Sequence, residues 1–365
     1  MTGDLVLWIV VGTALAFDFT NGFHDTANAV ATSISTRAMG PRTAVAMAAT
    51  LNFVGAFLSL EVAATVANGI VDADLITPAI VFAGLVGAIA WNLATWWFGL
   101  PSSSSHALIG GVVGAAFAAA GPSAVYGAGL LDKVVLPALV APVLALFVAG
   151  TAIVIAYRIV GRQAPGVVAR GFRLGQLVSG GLFSLSHGTN DAQKTMGIIV
   201  LALVAGGHLD PDAAVPTWVV LSAASAIALG TYFGGWRIIR TMGSRIIKMD
   251  PAQGFAAQGA GATIIFAATH AGFPLSTTHV ISGAIMGAGA AKRVSAVRWG
   301  VAGNIVTAWV LTLPASAAVG AFTYGLVWVL GANGPLIVGV ALLALVAVSF
   351  ARRAASQRRA ATVGG

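Results

Sequence analysis

The sequence predicts an all-α polytopic membrane protein of about 11–12 transmembrane segments, built as two inverted-topology repeats with broken or re-entrant helices. Three observations predict it. Of 365 residues, 58% are hydrophobic and 8% charged, with 46 Gly, a balance that water-soluble domains do not show. Seventeen of the 19 Lys and Arg fall in short stretches between apolar runs, alternating with loops that are acidic instead. Two polar motifs each occur twice, inside segments that should otherwise be apolar.

The apolar runs are near 5–36, 43–69, 77–100, 106–121, 133–157, 174–206, 216–236, 251–271, 275–291, 299–330 and 335–351. No aqueous domain fits between them, so residues 1–365 read as a single integral membrane domain. The first run carries Asp4 and no basic flank, which predicts a retained helix and not a cleaved leader. The basic residues cluster at Arg37 and Arg42, at 158–173, at 237–248, at 292–298 and in the tail 352–359. If each run crosses once, all five clusters fall on one face. The positive-inside rule makes that face cytoplasmic, with the N-terminus outside and the C-terminus inside a multi-pass protein of the plasma (cytoplasmic) membrane. The net charge of +8 is therefore a topology signal, and the expected partner is the lipid bilayer, not nucleic acid. Zero Cys excludes disulfides and thiolate metal sites.

Gly22-Phe-His-Asp25-Thr-Ala-Asn28 aligns with Gly188-Thr-Asn-Asp191-Ala-Gln-Lys194. Pro101-Ser-Ser-Ser-Ser-His106, followed by Gly110 and Gly114, aligns with Pro274-Leu-Ser-Thr-Thr-His279, followed by Gly283 and Gly287. The repeats therefore span about 5–157 and 174–330, leaving 335–351 as an extra C-terminal helix. Five crossings per repeat, an odd number, require the second copy to run through the membrane the other way. Secondary transporters are built like this, with a site near the midplane where the copies meet.

Gly and Pro in these motifs predict breaks in the helices, with Pro101 and Pro274 starting new ones. Free N–H groups and the positive end of each helix dipole would then face an anion. Ser103, Ser104, Ser105, Ser276, Thr277 and Thr278 add hydroxyl donors, which suits a tetrahedral oxyanion; the plainer reading is hydroxyls bonded back to carbonyls four residues earlier. Asp25 and Asp191 would repel an oxyanion, so a third component is needed between them. A proton, Na⁺ or a divalent metal would serve, and no fixed metal site or cofactor is expected. The structural alternative for Asp191 is a buried pair with Lys194. His24 beside Asp25 can carry a proton, and His106 and His279 are either relay or packing residues. Asn28, Asn190 and Gln193 offer amide oxygens to a cation and amide donors to an anion. The Gly pairs four residues apart allow close helix contact. Asp18 precedes the first motif by one turn and is expected to face its cavity; Glu61 is a further candidate for a proton or cation path.

At these motifs the chain resembles the inorganic phosphate transporter (PiT) family, whose signature is a twice-occurring Gly-Ala-Asn-Asp-Val-Ala-Asn-Ala type motif. Here the copies read GFHDTANA and GTNDAQKT, and the resemblance covers nearly the whole chain. It implies symport of inorganic phosphate with a coupling cation, a site between inverted halves and a homodimer. Asp25 and Asp191 would be the cation-linked carboxylates, Asn28 and Asn190 their amide neighbours, and the Ser and Thr runs the phosphate donors. His24, Gln193 and Lys194 depart from the commoner signature. They resemble the bacterial low-affinity phosphate transporter branch, which points to protons, ahead of Na⁺ or Mg²⁺, and to phosphate carried as a metal complex. Lys194 adds a positive charge suited to the anion. A sulfate permease of the same fold is the alternative. An intramembrane hydrolase is more distant, because no Gly-x-Ser-x-Gly elbow is present and no enzyme activity is expected.

Overall fold

The computed structural model describes residues 2–344, so the end of the expected helix 335–351 and the basic tail lie outside the described residues. Its helices are α1 Thr2–Ser35, α2 Pro41–Gly55, α3 Glu61–Asn68, α4 Pro78–Phe98, α5 Ser104–Ala120, α6 Gly127–Leu130 and α7 Leu136–Val160. The second half gives α8 Pro165–Ala205, α9 Thr217–Phe233, α10 Trp236–Arg240, α11 Pro251–His270, α12 Thr277–Lys292 and α13 Trp299–Leu330. Among the described residues the only β pairing is an isolated bridge between Val71 and Val125. Helices satisfy every backbone polar group within the segment, which lipid demands.

The long helices α1 and α8 run antiparallel. At one end, Asp4 near the start of α1 meets His208 just past the end of α8, with 3.1 Å between Oδ1 and Nε2. At the other, Thr36 donates to Gln176 over 2.9 Å and Arg173 donates to the Thr36 carbonyl over 3.2 Å. The two halves are therefore oppositely directed. Two buried apolar clusters flank the polar middle. One gathers Leu7 to Phe17 of α1 with the α4–α5 hairpin, α9 and Ala192 to Leu203 of α8. The other gathers Ala27 to Ala31 with α2, α7, α11 and α12.

Paired glycines make the halves interlock. α5 packs on α13 of the other half, and α12 packs on α7. A Cβ on Gly114 would lie 2.1 Å from the Ala317 carbonyl, and one on Gly287 2.0 Å from the Leu146 carbonyl. A Cβ on Gly110 would lie 2.3 Å from Ser316 Oγ and 2.6 Å from the Leu313 carbonyl, and one on Gly283 2.2 Å from the Pro142 carbonyl. The small-residue pattern is thus a packing device. A second crossing is duplicated as well: Gly22 abuts Ile227 and Gly188 abuts Asn52, each with carbonyl oxygen closer than 2.4 Å to a notional Cβ.

Several expectations are corrected. The Asp motifs do not break their helices, because α1 and α8 run through them continuously; Gly22 and Gly188 serve close crossings instead. The run 43–69 is divided into α2 and α3. The run 216–236 bends by 58° before Trp236 and continues to Arg245. Pro101 and Pro274 do not start helices; each lies three residues ahead of one, in extended chain. Four described stretches are long and apolar enough to cross unaided, namely Asp4–Ser35, Pro78–Phe98, Gly127–Val160 and Trp299–Ala344, and the bent pair is a fifth. The others are too short or too polar. With 17 and 16 residues, α5 and α12 reach only about 25 Å against a hydrocarbon core of about 30 Å.

Gly287→Leu is expected to lower thermal stability in detergent by an amount equivalent to about 1–3 kcal/mol of overpacking. Gly12→Leu, where nothing lies within 4 Å of the notional Cβ, should melt like the wild type. Equal melting of the two variants would disprove the tight contact.

Candidate functional site

The α4–α5 and α11–α12 connections have the same construction. Gly99 and Gly272 take left-handed φ values of +67° and +71°, which end the preceding helix, and a Pro two residues later keeps the chain extended. Ser103 and Ser276 then cap α5 and α12, their hydroxyl oxygens accepting from the backbone N–H of His106 over 3.1 Å and of His279 over 3.3 Å. The two helix starts face each other: Ser105 donates to the Leu275 carbonyl over 3.4 Å, and the His106 and His279 rings are 4.8 Å apart.

Between these ends and the middles of α1 and α8 lies a closed polar cluster. Asp25 and Asp191 are 2% and 0% exposed, and Lys194 is 1% exposed. His24 Nδ1 lies 2.7 Å from Asp25 Oδ1, while its Nε2 is 3.0 Å from Thr95 Oγ1 and 3.3 Å from Ser102 Oγ. Ser104 Oγ lies 2.7 Å from Asp25 Oδ2 and 2.6 Å from Asn21 Oδ1, so its single proton is shared between them. Thr278 donates to Asp25 over 3.4 Å and Thr277 to Asp191 over 3.3 Å. Asn28 in turn donates to Thr277 and Thr278 over 3.2 and 2.9 Å.

On the other side Lys194 uses all three ammonium donors, on Asp191 Oδ1 at 2.5 Å, Ser105 Oγ at 2.6 Å and the Leu275 carbonyl at 2.7 Å. The buried Lys194–Asp191 pair is therefore present. Lys194 also stands at the position matching Asn28: it bonds Ser105 as Asn28 bonds Thr278. The departure from the repeat pattern replaces a neutral donor by a charged one without moving the contact.

His187, which the motif comparison did not reach, completes the cluster. Its Nε2 is 3.1 Å from Asp191 Oδ2 and its Nδ1 is 3.2 Å from Asn52 Oδ1. Ligand atoms of Asp25, His187 and Asp191 lie within 4.8 Å of one another, a spacing that lets one cation touch all three. His187 occupies the position matching Asn21, so extending the motif alignment by one residue would have found it.

Two expected members lie elsewhere. Gln193 Oε1 accepts from the backbone N–H of Val62 and Ala63 over 2.8 and 3.2 Å, capping α3, and its Nε2 donates to the Thr189 carbonyl. Asn190 donates to Thr269 and to the Phe273 carbonyl. Neither amide bonds to Asp191. His106 and His279 pack on each other, and His279 also on Trp309 at 4.0 Å; no hydrogen bond joins either ring to Asp25 or Asp191. Glu61 is exposed at the start of α3.

Two half-length helices that open on paired buried carboxylates, in antiparallel halves, define a multi-pass membrane transporter. The chain belongs to the Phosphate transporter family, which it matches over residues 21–320. It is 54% identical over 346 residues to a Mycobacterium bovis protein named "Probable low-affinity inorganic phosphate transporter", covering 94% of this chain and 83% of that one. Proteins with the same name from Rhizobium meliloti and Bacillus subtilis are 52% and 47% identical, over 86% and 87% of this chain and 94% and 95% of theirs. A solved structure titled "The sodium-dependent phosphate transporter" superposes with a TM-score of 0.79 at 26% identity, covering 89% of this chain and 99% of that one. These relatives are transporters, and this chain is a transporter and not an enzyme.

Lys194→Met is expected to destabilise the protein by on the order of 3–5 kcal/mol, because Asp191 is left buried without its cation. Lys194→Met/Asp191→Asn should regain most of that loss in detergent melting curves. A double variant no more stable than the single one would show that the ion pair is not the cause.

Proposed function

We propose that the protein imports inorganic phosphate by symport with a cation, a proton ahead of Na⁺ or Mg²⁺, by alternating access across the plasma membrane. The family and the names of the relatives support phosphate over sulfate. The observation that carries the coupling is that carboxylates hold the hydroxyls an oxyanion needs. Ser104 and Thr278 point at Asp25, and Thr277 at Asp191. Phosphate and the two carboxylates compete for the same donors. A cation or proton arriving at Asp25 and Asp191 weakens their hold on those hydroxyls and removes the charge that repels the anion. Lys194, Ser105 and the α5 and α12 starts then complete an anion cradle.

The cation also answers the electrical cost, since each negative charge moved inward against about 100 mV costs roughly 2.3 kcal/mol. The Asp25, His187 and Asp191 cluster supports a second reading, in which phosphate enters with a divalent metal; imidazole with carboxylates is a donor set for such an ion. The resting orientation has the basic loops in the cytoplasm, with the N-terminus outside and the C-terminus inside.

Asp25→Asn and Asp191→Asn are each expected to abolish uptake of labelled phosphate into proteoliposomes while leaving the protein inserted. Varying pH, Na⁺ and Mg²⁺ separately, with sulfate as competitor, identifies the coupling ion. Wild-type uptake by either variant would overturn the role of the carboxylates.

A further inference from the structure

Asp18 lies in α1 seven residues before Asp25, which is two turns and roughly 10 Å along the same face of the helix. It is 0% exposed, and neither carboxyl oxygen makes a hydrogen bond. The Thr195 hydroxyl, on α8 one residue past Lys194, is likewise buried without a partner. Thr195 and Asn21 are the polar neighbours of the carboxyl, and Asp191 and Lys194 are the charged groups that face it from α8. Among the described residues no Lys, Arg or His pairs with it. Lys194 has its three donors engaged elsewhere.

A buried carboxylate with no cationic partner is a costly arrangement unless it takes up positive charge. One carboxyl, one hydroxyl and one amide are fewer oxygens than an alkaline-earth cation collects, whereas a proton needs only one. Asn21 links this carboxyl to the central cluster: its Oδ1 is 2.6 Å from Ser104 Oγ, which is 2.7 Å from Asp25 Oδ2. Asp18 is thus outside the oxyanion cradle but one side chain away from its hydroxyls.

We propose that Asp18 is a proton-carrying carboxyl, coupled through Asn21 and Ser104 to Asp25, so that a proton on Asp18 travels with each phosphate. This rests on the phosphate symport reading above. Loss of the proton from Asp18 adds a further buried negative charge near Asp191, which disfavours the anion. Binding and protonation therefore support each other, and neither state of Asp18 requires it to touch phosphate.

The test separates exchange from driven uptake in proteoliposomes. Asp18→Asn is expected to exchange labelled phosphate across the membrane when phosphate is present on both sides. Under a pH gradient it should fill only to the outside concentration, whereas the wild type accumulates phosphate above it. Accumulation by Asp18→Asn at the wild-type level overturns the proposal. So does loss of exchange together with accumulation, which would place Asp18 in phosphate binding, or selective loss of Na⁺-driven accumulation. If Asp18→Asn fails to insert, Thr195→Val replaces it: the pH dependence of accumulation should move with exchange intact, and an unmoved profile overturns the proposal. A wild type that exchanges no phosphate would overturn the symport reading itself.

Discussion

Everything in this fold depends on holding two carboxylates side by side where protein buries them from solvent. Asp25 and Asp191 reach that position because α1 and α8 cross the molecule in opposite directions with their middles in contact. Each carboxylate is then surrounded by groups that offset its charge: His24, Ser104 and Thr278 around one, Lys194, His187 and Thr277 around the other. The hydroxyl-bearing helix starts come from elsewhere in each half, so the centre forms only when both halves are folded together. The tight glycine contacts of α5 with α13 and of α12 with α7 supply that condition by tying each half to the other.

The hydroxyls proposed to receive the oxyanion are bonded to the carboxylates, and in the symport reading this makes the site a competition. In an aqueous cleft such bonds would exchange with water at little cost. At 0–3% exposure a donor that leaves a carboxylate needs another acceptor at once, and a carboxylate that loses its donors needs a cation. In the proposed symport, the energetic penalty of half-filling the site is what would link anion to cation.

Much of this was legible in the sequence. The duplicated Asp and Pro-x-Ser/Thr-Ser/Thr-Ser/Thr-His motifs, the alternating charge of the loops and the Gly spacing gave the repeat, its inversion and most of the site residues. Hydropathy missed where helices stop. The Asp motifs look like breaks because they are polar, but a helix buried by protein on all sides tolerates polarity, and α8 runs unbroken for 41 residues. Gln193 was legible as an amide and not as the cap of α3, because the partner is about 130 residues away. His187 lay one position beyond the aligned block. Asp18 was visible as a charge, but only packing shows that it is buried without a cationic partner.

The exchange of Asn28 for Lys194 has a consequence for symmetry. Were the halves chemically identical, a carrier turned inside out would be the same molecule rotated by half a turn, and the two facings would have equal energy. A fixed ammonium in one half and an amide in the other lifts that degeneracy. With the His24/Asn190 and Asn21/His187 differences, this exchange makes the two sides of the centre chemically unequal before any cargo or membrane potential acts on them.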